Sequence, residues 1–264
     1  MRTLALMGCP RSGTSWLGQV FNAHPRVAYR YQPLFSYEFK DWFGQHGVTA
    51  ASVRAFHTAL LGAHSDFVLQ NLRPAKAGAP SHLVWKEVRY LHLMQPLLET
   101  GELDGVIWLY RAPLAVLNSW YQAPREFRAG QDIRVEYLHA PNKNTNPSEY
   151  NGLARWKTAM RLALAARTAY PGRVHLLRYE RLVAAPAEEL ARLAAAVDLP
   201  VDAAQLAFLT ASRSRHDDDA YSVFRAQQAA MLLPPDVAAA ITCDTEAAGL
   251  LDLADACRQE APST

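Results

Sequence analysis

The residues best suited to chemistry lie in one turn near the start of the chain. Residues 8–13 read GCPRSG, a run of small residues that contains a single cation, Arg11. Such a turn lets successive backbone N–H groups point into one hollow, and a helix that begins directly after it adds its positive end. The turn therefore predicts an anion site. Its candidate ligands are Arg11, Ser12, Gly13, Thr14, Ser15 and Trp16.

The spacing of the two glycines narrows the class of anion. Gly8 and Gly13 match the G-x-x-x-x-G pattern of phosphate-binding loops, but Thr14 stands where an ATP-type loop has lysine. In that type of loop the lysine contacts the β- and γ-phosphates and the next hydroxyl binds Mg²⁺. Here the cation precedes the second glycine. This position of the cation favours a nucleotide other than ATP. The alternative is a small-molecule kinase, which would use ATP on the same fold.

Short apolar runs that alternate with helical patterns surround this turn. The expected strands are 4–7, 27–31, 82–85, 105–110 and 174–177. The first run, residues 4–7, is short and uncharged, which is typical of a central strand in a parallel sheet, and strands alternating with helices indicate βαβ units. The sequence therefore predicts an α/β fold of three layers, resembling P-loop proteins, with a central, mainly parallel sheet flanked by helices.

A second anion site is predicted at the end of the strand 105–110. Arg111 follows that strand directly, and Ser119 lies about two turns into the next helix. Two turns span a distance that lets both side chains reach one phosphate group from two directions. Ala112 stands where a helix N-cap would help, so a contribution on the order of 1 kcal/mol is missing there.

Both sites together resemble a known family. The segments GCPRSGTSWL and RAPLAVLNS are similar to the two nucleotide-binding signatures of sulfotransferases that use 3′-phosphoadenosine 5′-phosphosulfate (PAPS). The later segment LLRYERLVAAP resembles the family's LRYEDL-x-x-x-P segment. The pattern is closer to the carbohydrate, tyrosylprotein-like and bacterial members than to the cytosolic members that carry K-T-H. The resemblance implies sulfuryl transfer from PAPS to a hydroxyl, with PAP as product and no metal.

The resemblance also implies roles for individual residues. Residues 12–15 would hold the 5′-phosphate, Arg111 and Ser119 the 3′-phosphate, and Tyr179 would lie near the adenine. We further expect Arg11 to neutralise charge that grows on the bridging oxygen of the leaving phosphate. Lys86, at the end of the strand 82–85, matches a lysine that contacts the transferring sulfonate in relatives.

The general base of the reaction is not evident from the motifs. Relatives use a histidine after the lysine or a glutamate after the first helix, whereas this chain has Glu87 next to Lys86 and Gln32 at the second location. Glutamine cannot accept a proton at neutral pH. Glu87 is the first candidate for the base, followed by Glu38 and His46.

Two stretches bear on the acceptor. An aromatic-rich segment contains Tyr29, Tyr31, Phe35, Tyr37, Phe39, Trp42 and Phe43. These rings are either part of the core or the walls of an acceptor pocket. Residues 124–150 are polar and rich in proline and asparagine, which predicts a loop over the cofactor and acceptor cleft. The acceptor is left open as a small molecule, carbohydrate or lipid. A contact between Arg225 and the 3′-phosphate of the nucleotide is also left open.

Composition sets the remaining expectations. The chain has 264 residues, half of them hydrophobic, which suits a single domain over 1–264. The formal net charge of +2 and the absence of a basic run argue against a nucleic-acid partner. The 3 cysteines lack CxxC spacing, so neither a disulfide framework nor a zinc site is expected.

The same composition suggests where the protein works. The first apolar run is too short for a secretory signal, and none approaches the length of a bilayer span. We therefore expect a cytoplasmic protein without a membrane span, and its alanine-rich helices suggest a bacterial source. A homodimer is left open, as is a PAP- or PAPS-binding module without catalysis.

Overall fold

Five short apolar runs form the central sheet. The protein is described from a computed structural model that covers residues 1–70, 74–214 and 230–259. The strands in these ranges are β1 (Arg2–Met7), β2 (Val27–Tyr31), β3 (His82–Glu87), β4 (Gly105–Tyr110) and β5 (Val174–Arg178). They pair in the order β2-β3-β1-β4-β5, and every pairing is parallel. The fold predicted from the sequence is confirmed.

Helices cover both faces of this sheet. Those before β4 are α1 (Thr14–Ala23), α2 (Trp42–His46), α3 (Ala50–Leu61), α4 (Asp66–Leu69) and α5 (Met94–Glu99). Those after it are α6 (Pro113–Tyr121), α7 (Ile133–His139), α8 (Gly152–Ala169), α9 (Tyr179–Ala184), α10 (Pro186–Ala196), α11 (Ala203–Ser214), α12 (Pro235–Ala248) and α13 (Leu250–Gln259). Across the described ranges, no helix combines the length and apolar character needed to cross a membrane.

The helices divide into two layers because successive strand residues point to opposite faces. Helices α1, α9, α10 and α11 pack on one face, which we call the α1 face, against apolar side chains such as Val84 and Tyr29. Helices α3, α5, α6, α8, α12 and α13 pack on the other face against Leu83 and Trp85. Burial on both faces explains why β3 and β4 are buried at every position.

The parallel arrangement brings five chain segments to one edge of the sheet. Because all strands run in the same direction, their carboxyl ends lie together, and ligands of open α/β sheets bind there. The turn 8–13 follows β1, Gln32 follows β2, Arg111 follows β4, and Tyr179 follows β5, while Lys86 and Glu87 are the last two residues of β3. The edge thus collects residues that are far apart in sequence.

The segment 124–150 is more ordered than the sequence predicted. It contains α7, which packs against α8, and Ile133, Ala140 and Tyr150 are buried in the core. The apolar side chains at these positions stabilise a helix where proline and asparagine content indicated only loop. Arg225 lies outside the described residues. That the chain forms one domain stays a prediction.

Candidate active site

The turn after β1 is shaped by two residues in the left-handed region. Arg11 has φ 67° and Gly13 has φ 91°. The ring of Tyr179 lies so close to Gly13 that a Cβ added there would be 2.5 Å from two ring carbons. Only glycine therefore fits at position 13, for reasons of both backbone conformation and space.

The turn leaves polar groups available for an anion. Ser12 is fully buried, and among the described residues its hydroxyl oxygen has no hydrogen-bond partner. Helix α1 begins beside it with no side-chain cap and no acidic residue in its first turn. The first N–H groups of a helix have no partner within it, and they carry its positive end. An orphaned hydroxyl next to such a helix end fits a phosphate oxygen.

Tyr179 joins the turn to the end of β4. The guanidinium carbon of Arg111 lies 4.6 Å from the centroid of the Tyr179 ring, and Trp16 meets that ring edge-on at 6.4 Å. Arg111 donates a hydrogen bond of 3.3 Å to the carbonyl of Arg11, and its own carbonyl accepts one of 3.1 Å from the Trp156 indole. The arginine is therefore fixed at the edge of the sheet by contacts to three elements.

The side chain of Arg11 lies with Ser119. Its Nε donates a hydrogen bond of 3.2 Å to Ser119 Oγ, and its terminal nitrogen lies 3.4 Å from the carboxylate of Glu126. We expected Arg11 at the transferring group, separate from Ser119 and Arg111. Glu126, a partner of this guanidinium besides Ser119, was missed because it lies in the segment 124–150 that was read as a loop.

Lys86 is the cation that lies by the start of α1. It is 2% exposed, its Nζ donates a hydrogen bond of 3.3 Å to Ser15 Oγ, and it lies 4.4 Å from the centroid of the Tyr31 ring. Tyr31 and Lys86 are direct partners in the register of β2 and β3. Both side chains therefore project to the α1 face at the carboxyl edge.

Glu87 points away from Lys86. Adjacent strand residues project to opposite faces, and Glu87 shares its face with Leu83 and Trp85. Its carboxylate is fully buried and accepts hydrogen bonds from the N–H groups of Val88 (3.1 Å) and Arg89 (3.3 Å). Burial raises the pKa of Glu87 to about 7, against the opposing effect of the Lys86 charge.

Comparison with known proteins gives the family of the chain. The family model described as "Sulfotransferase family" matches residues 4–203, which include both arginine sites, Lys86 and Tyr179. The chain belongs to the sulfotransferase family. No curated protein matches its sequence.

Solved structures show that the fold is shared. A sulfotransferase from Alicyclobacillus acidocaldarius is 13% identical, with a TM-score of 0.60 over 100% of this chain and 98% of that one. A mouse sulfotransferase complexed with PAP is also 13% identical, with a TM-score of 0.59 over 100% of this chain and 89% of that one. The sulfotransferase domain of the Synechococcus olefin synthase is 17% identical, with a TM-score of 0.52 over 97% of this chain and 94% of that one.

The base candidates of this sulfotransferase do not converge on Lys86. Glu87 is on the opposite face of β3, because a strand alternates its side chains, so its adjacency in sequence was misleading. Glu38 accepts hydrogen bonds of 3.1 Å from the N–H groups of His64 and Ser65. Burial favours a higher pKa for Glu38, but these bonds outweigh it and lower the pKa. A carboxylate held in this way by the two residues before α4 is a weak base.

The third base candidate, His46, and Gln32, which stands where relatives carry the glutamate, lie in different places. His46 is exposed, stacks on Trp42 at 4.8 Å, and has its Nδ1 2.8 Å from the Trp42 carbonyl. Gln32 instead lies at the site: its N–H donates 2.8 Å to the Lys86 carbonyl, and its side chain bonds to the Tyr31 hydroxyl. Of the two, the structure brings only Gln32 to Lys86.

Sequence reasoning missed Tyr31 as a site residue. Its hydroxyl is hydrogen-bonded to Ser15 and Gln32, and the charge of Lys86 lowers the pKa of the Tyr31 phenol below its ordinary value of 10.0, although burial opposes this shift. The available signal was position: Tyr31 is the last residue of β2, next to Gln32.

The aromatic-rich segment divides between the two roles considered for it. Phe39 and Phe43 pack on Phe56 in the core. Phe35 is 45% exposed and lies 6.0 Å from Phe67, which in turn meets Tyr31 at 5.4 Å. A row of half-exposed rings therefore leads outward from Lys86 and Tyr31, which is a surface suited to an apolar or ring-bearing acceptor.

No group of metal ligands occurs among the described residues. Within residues 1–70, 74–214 and 230–259, no three His, Cys, Asp or Glu side chains are arranged to hold an ion. The described residues that bring positive charge to this edge of the sheet include Arg11, Arg111 and Lys86.

Proposed function

We propose that this sulfotransferase moves a sulfuryl group from PAPS to an acceptor hydroxyl, giving a sulfate ester and PAP. When bound, PAPS supplies the sulfuryl group. The proposal is supported by the nature of the residues at the carboxyl edge of the sheet: backbone and hydroxyl donors for one phosphate, and two arginines with a serine for another.

The 5′ end of the nucleotide is assigned to the turn and to the start of α1. The orphaned Ser12 hydroxyl, the amides from Gly13 to Ser15 and the hydroxyls of Thr14 and Ser15 would donate to the 5′-phosphate. Trp16 contributes by packing against Tyr179, whose ring closes the space beside Gly13.

The 3′-phosphate is assigned to Arg111 and Ser119. We add the guanidinium of Arg11, because its Nε lies within hydrogen-bond distance of Ser119. Three donors around one phosphate give the discrimination from AMP and ATP that a PAPS enzyme requires. Tyr179, stacked under Arg111, is proposed to contact the adenosine.

Lys86 is assigned to the sulfonate. Its buried ammonium lies next to Ser15, so it would face the anion that develops between the 5′-phosphate and the acceptor oxygen. Preorganised positive charge in a site shielded from water stabilises such a transition state strongly. Replacing Lys86 with Met is expected to lower kcat by about 100-fold or more while PAP still binds.

One observation carries the proposal. Tyr179 touches both Gly13 of the turn and Arg111 of the second cluster, so both sets of anion-binding groups lie around one ring at one edge. Their separation by a single aromatic side chain is the arrangement that one nucleotide with two phosphate positions needs.

Calorimetry with PAP, AMP and ATP plus Mg²⁺ tests the donor. Tight binding of PAP with weak binding of AMP supports it, whereas preference for ATP with Mg²⁺ would point to a kinase. Product detection from ³⁵S-labelled PAPS against phenols, sugars and hydroxylated lipids then tests transfer. Binding of PAP with no sulfated product from any of them would indicate a binding module.

A further inference from the structure

A tyrosine and a lysine form a buried pair at the acceptor side of the site. The Tyr31 ring lies 4.4 Å from Lys86 Nζ, and its hydroxyl is hydrogen-bonded to Ser15 and Gln32. Lys86 also donates to Ser15. Ser15 is proposed to hold the 5′-phosphate of PAPS. The phenol oxygen of Tyr31 therefore contacts a side chain that would itself contact the phosphosulfate.

The hydroxyl that receives the sulfuryl group must lose its proton, so a base is needed beside it. Glu87 is on the other face of β3, and the carboxylate of Glu38 is held by two backbone N–H groups. Gln32, at the location where relatives carry glutamate, has no basic atom. The side chain of Gln32 is instead hydrogen-bonded to the Tyr31 oxygen, and among the described residues named above that phenol oxygen is the titratable oxygen beside Lys86.

We propose that the phenolate oxygen of Tyr31 takes the proton of the acceptor hydroxyl during sulfuryl transfer, with Lys86 holding the phenolate charge. This rests on the proposed function. In the step, the acceptor oxygen forms a bond to sulfur, and the bond from sulfur to the bridging oxygen breaks. The electron pair of that bond goes to the 5′-phosphate of PAP, and the acceptor proton goes to Tyr31 Oη.

The charges around Tyr31 favour this role. The charge of Lys86 has the largest effect on the pKa of Tyr31 and favours the phenolate, while burial and the carboxylate of Glu87 on the far side of β3 oppose it. Its neighbour two residues back on the same face, Tyr29, differs sharply. Its hydroxyl is buried with no partner among the described residues, and burial raises its pKa well above 10.0. Tyr29 is therefore a matched control on the same strand.

The first test measures ionisation without any nucleotide. The tyrosinate absorbance of the free protein is titrated for the wild type, Tyr31→Phe, Tyr29→Phe and Lys86→Met. We expect one tyrosine to ionise at lower pH than the rest, to be lost in Tyr31→Phe and kept in Tyr29→Phe, and to move to higher pH in Lys86→Met. Identical titration curves for the wild type and Tyr31→Phe overturn the proposal.

The second test uses the acidity of the acceptor. Single-turnover transfer from PAPS is measured for phenol and 4-nitrophenol. Tyr31→Phe is expected to slow sulfuryl transfer to phenol by about 100-fold or more. Transfer to 4-nitrophenol should be slowed much less, because an acidic phenol loses its proton unaided. If Tyr31 must be ionised to act as the base, the wild-type transfer rate to phenol rises with pH, and this rise should disappear in Tyr31→Phe. A Tyr31→Phe enzyme with unchanged rate for phenol contradicts the proposal.

Failure of the two proposals can be told apart. If PAP does not bind by calorimetry, the donor assignment fails whatever Tyr31 does. If PAP binds and transfer occurs, but neither the titration nor the phenol rate changes in Tyr31→Phe, only the role of Tyr31 fails. Tyr29→Phe should match the wild type in both tests, which excludes a general effect of removing a hydroxyl from β2.

Discussion

The two ends of the site are built differently. The anion end, made of residues 8–16 with Arg111 and Ser119, comes from two contiguous motifs that each include a strand end and the helix after it. The proton end, made of Tyr31, Gln32 and Lys86, comes from neighbouring strands that are more than 50 residues apart in sequence. One end is encoded locally and the other only by strand pairing.

This difference has a physical origin. A phosphate is bound largely by backbone N–H groups and a helix end, which require a fixed local turn and hence a fixed local sequence. A proton acceptor is one side chain whose basicity is set by neighbours from other elements. Its residue type is free to vary as long as register and surroundings keep it over the reacting oxygen.

The largest expected effect is at the turn. Gly13→Ala would place a Cβ 2.5 Å from the Tyr179 ring at a φ of 91°. We expect PAP affinity to fall by about 100-fold or more, because both the turn and Tyr179 must shift. Calorimetry with PAP measures this loss.

Gly101→Ala is the matched control for this substitution. Gly101 has a similar φ of 78°, but nothing lies within 4 Å of an added Cβ. It should lose about 1 kcal/mol of stability from backbone strain and keep its PAP affinity. Equal loss of affinity in both variants would mean that contact with Tyr179 is not what demands glycine.

The features that the sequence predicts are those built from local motifs, and the features that it does not predict depend on contacts between distant elements. The parallel sheet was correctly predicted from apolar runs. The turn and the pair Arg111 and Ser119 were assigned to anions from short patterns, and their roles stay predictions. Each of these depends on residues within one strand–turn–helix unit. Patterns of that kind are physical constraints on a few neighbouring residues.

Other features depend on which residues meet across the fold. Glu87 is adjacent to Lys86 in sequence and opposite to it in space, because β3 alternates its faces. The ion pair between Arg11 and Glu126 joins residues 115 positions apart, so no local pattern contains it. Tyr31 resembles any half-buried strand tyrosine until its register with Lys86 is known.

Replacement of Arg111 sharpens the comparison within the anion end. Arg111→Gln should weaken the binding of PAP by about 10- to 100-fold, since a charge-assisted contact to the 3′-phosphate is lost. The affinity for AMP, which lacks that phosphate, should change little. Calorimetry with both nucleotides measures the ratio. Arg54→Gln removes an exposed arginine paired with Glu102 and should change neither. Equal losses for PAP and AMP would refute the assignment to the 3′ position.

Glu87 contributes to stability in a pH-dependent way. Its pKa is about 7 in the folded protein against 4.5 ordinarily, so the folded state holds a proton that the unfolded state releases between these values. Stability is therefore highest below pH 4.5 as far as this group is concerned, and falls by up to about 3 kcal/mol as pH rises to 7.

Denaturation at pH 5 and pH 8 tests the sign of this effect. The free energy of unfolding of Glu87→Gln should lack this component of the pH dependence, and the variant should gain on the wild type at pH 8. Glu188→Gln, on the first turn of α10, is the control and should keep the wild-type slope. A Glu87→Gln protein whose unfolding free energy keeps the wild-type slope with pH contradicts the raised pKa of Glu87. If Glu87→Gln instead removes the fall of the transfer rate at low pH, Glu87 would again be a candidate for the base.

The smallest expected effect has the opposite sign. Glu126 lies 3.4 Å from Arg11, so its carboxylate competes with any phosphate that Arg11 binds. Glu126→Gln should strengthen PAP binding by about three- to fivefold, because the pair is partly exposed and screened. The gain should shrink in high salt and be absent for AMP. Glu102→Gln, which removes a carboxylate paired with Arg54, should leave both affinities unchanged. Weaker PAP binding in Glu126→Gln would instead mean that the carboxylate orients Arg11 toward Ser119, and the anion end would then depend on a distant contact as the proton end does.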